Sequence, residues 1–261
     1  PNIGPLLDPL DVPTQLDQTL IDGLPNKLAP VGDAIRLTKA NLSPETALIG
    51  FAGAPWTIMT YMAEGGSSRD FTKIRGWAWQ YRKEVDALLE CLIESTISFL
   101  NLQAEAGVDV LMLFDSWASA VPAAQRKWLV IDPARKIVDG LRKRGHKQPI
   151  IGFPKGIGEG LISYVDQSAV DAVGLDHGVD PVWVDRNLPK NFPVQGNLDP
   201  CALHGTEESI KNAASRVIDG YGHGHRHIFN LGHGIDQFVK PEKLGILIDY
   251  VKEYSMQYHK S

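Results

Sequence analysis

Six short apolar runs, each closing on a polar or glycine-containing turn and each followed by a longer segment of helical character, constrain this chain more than any other feature. They are 47–53 (ALIGFAG), 108–116 (VDVLMLFDS), 149–155 (PIIGFPK), 172–177 (AVGLDH), 192–199 (FPVQGNLD) and 227–233 (HIFNLGH). Continuous apolar runs of strand length, alternating with helices, are the mark of parallel strands buried on both faces. Between them, 84–106 carries Val85, Leu88, Leu89, Leu92, Ile93, Ile97, Leu100 and Leu102 as a broad helical stripe. In 132–144, Asp132 suits a cap, Pro133 a first helical position and Arg142, Lys143 and Arg144 the last turn. Thr206 suits the N-cap of a helix over 207–221, with Glu207 and Glu208 in its first turn and Ser209 where a capping box would carry Glu or Gln. Pro241 opens a C-terminal helix. Residues 1–30, punctuated by Gly4, Pro5, Pro9, Pro13, Gly23, Pro25 and Pro30, read as an extended, loop-like connection.

The class is therefore α/β. A (β/α)8 barrel places eight strands in about 250 residues. Six runs occur here, and only one lies in the first third. Two arrangements fit: an open six-strand sheet, or a barrel short of two units. Polar residues gather at the ends of the runs, namely Asp115, Ser116, Lys155, Asp176, His177, Asn197, Asp199, Asn230 and His233. In a barrel that edge is the active-site face. Each residue alone reads better as a turn former or helix cap; together they favour a site.

Composition removes several classes. Net charge is -5, which argues against general nucleic-acid binding. No apolar run approaches the roughly 18 residues of a membrane span. The first residues, from Pro1, show no basic n-region followed by an apolar h-region, so they are not expected to be a signal peptide. Cys91 and Cys201, far apart, make no disulfide framework and point to a reducing, cytoplasmic setting.

Two motifs carry candidate chemistry. In 50–66 (GFAGAPWTIMTYMAEGG), Tyr61 lies about a turn and a half beyond Pro55-Trp56 if that segment is helical; its phenol suits either a cleft or an aromatic core. In 230–236 (NLGHGID), His233 stands between glycines, able to reach a ligand, though a lone His is more often structural. The tract 221–227 (YGHGHRH) has the look of a metal site but lacks a nearby Cys or carboxylate, so a solvated loop is expected there. Cys91 reads as core, and nothing places an activating base on Ser116.

Four colinear segments, 48–68 (LIGFAGAPWTIMTYMAEGGSS), 111–119 (LMLFDSWAS), 194–200 (VQGNLDP) and 229–235 (FNLGHGI), closely resemble the uroporphyrinogen decarboxylase family of haem biosynthesis. The resemblance implies one (β/α)8 TIM-barrel domain over 1–261 and a homodimer. It implies cofactor-free and metal-free removal of CO2 from four acetate side chains of uroporphyrinogen III, giving coproporphyrinogen III. By motif, Tyr61 resembles the family's cleft tyrosine and Ser116 its strand-end serine. Phe114 is similar to a pocket wall and His233 to the NLGHG histidine, all contacts of the tetrapyrrole substrate. The family's arginine-bearing MRQAGRY motif and the aspartate of its FSDI-type strand end are not among these 261 residues. The resemblance makes those the main catalytic groups, so no catalytic residue is assigned here. About six of eight βα units are expected, with a gap of roughly eighty to ninety residues relative to the family. Two unpaired parallel edges should then fold poorly alone, and the chain alone should be inactive. His177, after Asp176, stands where the family often has an aromatic. The alternatives are a related barrel methyltransferase, which would show zinc ligands that Cys91 and Cys201 do not offer, or a non-catalytic porphyrinogen-binding fragment.

Overall fold

The apolar runs form parallel strands and the segments between them form helices. The structure, a computed structural model, describes residues 7–14, 16–66, 68–222 and 226–258, in two units that meet in the chain at Asp171 and Ala172. The first unit contains α1 (Gln18–Asp22), α2 (Leu24–Lys27), α3 (Ala29–Asn41), β1 (Ile49–Gly53), α4 (Pro55–Glu64), α5 (Thr72–Gln80), α6 (Arg82–Glu105), β2 (Val110–Asp115), α7 (Asp132–Lys143), β3 (Ile150–Pro154) and α8 (Gly160–Gln167). The second contains β4 (Ala172–Gly174), α9 (Pro181–Asn187), β5 (Val194–Leu198), α10 (Glu207–Tyr221), β6 (His227–Leu231) and α11 (Pro241–Ser255). All six sequence runs are strands.

In the first unit β1 pairs with β2 and β2 with β3, both parallel, with Gly53 opposite Phe114 and Phe114 opposite Phe153. Side chains alternate between the two faces. One face carries Gly50, Ala52, Leu111, Leu113, Asp115, Ile150 and Gly152 and packs on helices. A Cβ on Gly152 would lie 2.4 Å from the Tyr164 hydroxyl of α8, so only glycine admits that ring. The other face carries Phe51, Phe114 and Phe153 as an edge-to-face ladder with centroids 5.8 and 5.7 Å apart. Among the described residues β1 pairs with one strand only; Gln103 of α6 meets its other edge, accepting from Phe51 N–H and donating to Phe51 C=O, each at 2.8 Å. Val85, Leu88, Leu92, Ile97 and Leu100 of α6 are buried, each stabilising the unit by roughly 1.5–3 kcal/mol. Cys91 is buried with them, as expected.

In the second unit β4–β5 and β5–β6 are parallel, with Val194 opposite both Val173 and His227. Thr206 caps α10 as expected, accepting the Ser209 N–H at 3.2 Å.

Two expectations need correction. Residues 1–30 are not extended throughout: 7–14 is without helix or strand, but Asp17 accepts the Thr19 N–H and starts α1, and Pro25 and Pro30 sit in first turns instead of breaking helices. Asp132 is not a cap, because a π-helical turn over Lys127–Ile131 runs straight into α7 and leaves no terminus to cap; its carboxylate pairs with Lys127 at the surface. In the histidine tract, His223 and His225 lie outside the described residues, while His227 belongs to β6.

Gly152→Ala is expected to destabilise the protein by about 1–3 kcal/mol, because the buried Tyr164 ring has nowhere to move. Urea denaturation that shows no loss would contradict this packing.

Candidate active site

The C-terminal edge of β1–β3 is built by the first turn of α4. Ala54 N–H donates to Phe114 C=O at 2.7 Å, Trp56 Nε1 to Trp117 C=O at 3.0 Å, and Thr57 Oγ1 to Asp115 Oδ1 at 2.7 Å. The same Thr57 hydroxyl accepts the Trp117 N–H at 3.4 Å. These bonds bracket Ser116 on both sides. The Pro-Trp-Thr motif and the Phe-Asp-Ser-Trp motif are thus two halves of one clamp. Proline starts α4, buried Trp56 fills the space beneath it, and threonine supplies the hydroxyl.

Trp117 is the hub of the edge. Its ring lies 6.4 Å from Tyr61, 4.9 Å from Phe71 and 5.9 Å from Lys155 Nζ, centroid to centroid or cation. Its indole N–H is buried without an acceptor among the described residues, at a cost of about 1–3 kcal/mol. Phe71 holds φ 49°, ψ 38°, a left-handed backbone that costs about 1–2 kcal/mol. The first unit therefore brings Tyr61, Phe114 and Ser116 to one edge. Tyr61 is on helix α4, so the turn-and-a-half placement holds, and it is 37% exposed. The sequence reading passed over Thr57 and Trp117; adjacency to strand ends was their only signal.

Asp115 is fully enclosed. Burial pushes its carboxyl up from 3.8 to about 7, and the Thr57 hydrogen bond offsets only part of this. Its charge and burial together raise the Tyr164 hydroxyl as well, burial being the larger cause.

The second unit contains His233, exposed on the loop after β6. A Cβ on Gly232 would fall 2.3 Å from His177 N, and Gly232 N–H donates to Leu198 C=O at 2.7 Å, so glycine lets this loop lie against the ends of β4 and β5. Asn197 is a tie and not a free ligand group. Its amide donates to Asp176 C=O at 2.9 Å and Val179 C=O at 2.7 Å, and it accepts the Tyr221 hydroxyl at 3.0 Å. Tyr221 stacks on His227 at 4.2 Å, and burial lowers the pKa of His227, favouring neutral imidazole that donates from Nε2 to Gly196 C=O at 2.6 Å. Asp199 caps the Cys201 N–H, and Asp176 accepts the Gly178 N–H. A cleft of about 670 Å³ lies in this unit against His177, Asp180, Asn197 and Arg216; none of Tyr61, Phe114, Ser116 and His233 lines it. Among the described residues no three His, Cys, Asp or Glu side chains group as metal ligands.

The fold and the strand-end edge define an α/β protein of the (β/α)8 TIM-barrel class, with six βα units among the described residues. The model of the family described as "Uroporphyrinogen decarboxylase (URO-D)" matches residues 2–254, and the chain belongs to that family. It is 41% identical over 253 residues to the uroporphyrinogen decarboxylase of Novosphingobium aromaticivorans, covering 97% of this chain and 73% of that one. With the enzyme of Maricaulis maris it shares 39% over 252 residues, covering 97% and 72%. The fold is also similar to a methyltransferase from Methanosarcina mazei, with a TM-score of 0.75, 15% identity, and coverage of 93% of this chain and 71% of that one.

Asp115 makes stability depend on pH. The unfolded carboxyl ionises near 3.8 and the folded one near 7, so the folded state holds the extra proton between them and stability falls as pH rises through that window. Asp115→Asn is expected to flatten the fall, gaining up to roughly 4 kcal/mol on the parent at about pH 8 relative to about pH 4. Denaturant titrations that give the same difference at both pH values would contradict it.

Proposed function

We propose that this chain is a uroporphyrinogen decarboxylase polypeptide whose strand-end residues hold a tetrapyrrole while acetate side chains lose CO2. The observation that carries the reading is the α4 clamp, which sets Ser116 between two fixed residues, Asp115 and Trp117, the second of which has its ring 6.4 Å from Tyr61. Family membership over residues 2–254 supports a tetrapyrrole as the substrate.

The chemistry asks for little from a cofactor. Protonation of a pyrrole carbon makes the ring a cationic acceptor. The electron pair of the breaking C–C bond then flows into it and CO2 leaves; a proton delivered to the remaining methylene gives the methyl group, and the ring carbon releases the proton it first took up, which restores the neutral pyrrole. The protein's task is to hold the macrocycle and to favour the cationic state. In this reading the Ser116 and Tyr61 hydroxyls donate to substrate carboxylates, Phe114 walls the ring, and the His233 imidazole takes a further carboxylate. The 261 residues form one barrel domain, act as a homodimer in the cytoplasm, and use neither nucleic acid nor membrane. Among the described residues no helix is long and apolar enough to cross a membrane. The methyltransferase likeness is one of fold alone.

Anaerobic ultrafiltration with uroporphyrinogen III tests the reading. The chain is expected to retain the porphyrinogen, and Ser116→Ala to weaken retention about tenfold by removing a donor to a charged acceptor. Failure of the chain to retain it would overturn the reading. The family's arginine and aspartate motifs are not among these residues, so CO2 release by them alone is expected to be undetectable. Measured release would move the essential chemistry onto the residues named above.

A further inference from the structure

Phe114 and Phe153 face each other across β2 and β3, and Ser116 and Lys155 lie in the turns that follow directly on the ends of these two strands. The ladder continues far enough to fix the second of these. Lys155 N–H donates to Asp115 C=O at 3.1 Å, and Lys155 C=O accepts the Ser119 N–H at 3.1 Å. Its backbone is therefore tied to the segment that carries Ser116 on both sides of that residue.

The half-buried side chain lies beside Trp117, with Nζ 5.9 Å from the ring centroid. Among the described residues it makes no ion pair, unlike Lys39, Lys73, Lys127, Lys136, Lys190 and Lys211. Asp115, its immediate neighbour across the strands, points to the opposite face and is engaged by Thr57. A cation kept on an aromatic edge, away from protein carboxylates, is a ready partner for an anion from outside. The Trp117 ring beside it strengthens that attraction by lowering the local dielectric.

We propose that Lys155 is a substrate-binding residue whose ammonium pairs with a carboxylate of the tetrapyrrole, next to the Ser116 hydroxyl. The proposal rests on the decarboxylase reading and adds to it the cation of this edge. Ser116 and Tyr61 are neutral donors, which orient a carboxylate but do not neutralise it; Lys155 does both.

The test compares anaerobic retention of uroporphyrinogen III by the parent chain, Lys155→Met and Lys155→Arg across a range of salt concentrations. Circular dichroism checks each fold, and Lys155→Gln replaces the methionine variant if that one does not fold. The proposal expects Lys155→Met to weaken retention about tenfold and to flatten its salt dependence, with Lys155→Arg restoring both. Equal retention by parent and Lys155→Met overturns it and leaves the decarboxylase reading standing. Weakened retention with an unchanged salt dependence also overturns it, because the lysine would then act only through packing. No retention by the folded parent chain overturns the decarboxylase reading itself, and this proposal with it.

Discussion

The Asp115–Thr57 hydrogen bond is the interaction on which the candidate site depends. It is buried, it joins the end of β2 to the first turn of α4, and its hydroxyl also receives the Trp117 N–H. A buried carboxyl is costly unless it is protonated or well bonded. Here it is held by one hydroxyl and keeps its proton to about neutral pH. With the Trp56 bond to Trp117 C=O, it turns a flexible strand end into a fixed platform. Ser116 is on that platform, Tyr61 reaches it from further along α4, and Lys155 is tied to it through the last bond of the β2–β3 ladder.

Much of this was legible in the amino-acid order. All six runs are strands; β2–β5 read directly because a strand covered on both faces leaves a continuous apolar run, whereas β1 and β6 expose alternate residues, Phe51 and Ile228 among them. Thr206 read correctly because an N-cap needs only a local side chain. Asp132 misled for the opposite reason. It has the composition of a cap, but the preceding Lys127–Ile131 segment is already helical, and only tertiary packing decides that. Residues 18–30 misled because proline is ambiguous: it breaks a helix inside and starts one at the first turn.

The site was legible in part. Tyr61, Phe114 and Ser116 were named by motif resemblance, and the α4 clamp brings their segments to one edge. Thr57 and Trp117 were hidden, because a hydroxyl becomes a tie only when a buried carboxylate is opposite it, and nothing local announces that contact. Asn197, Asp176 and Asp199 show the other side. Each stands at a strand end like a ligand group, yet each is consumed by a turn or tie within the second unit. Lys155 differs from them in having its backbone fixed and its charge unspent.

The central claim is that the C-terminal edge of β1–β3 is where this chain meets its substrate. Hydrogen–deuterium exchange with and without uroporphyrinogen III, read peptide by peptide, tests it most directly. The account predicts added protection over residues 54–61, 114–119 and 153–156. Retained ligand with unchanged exchange in all three segments, or protection confined to the cleft at His177 and Arg216, would contradict it.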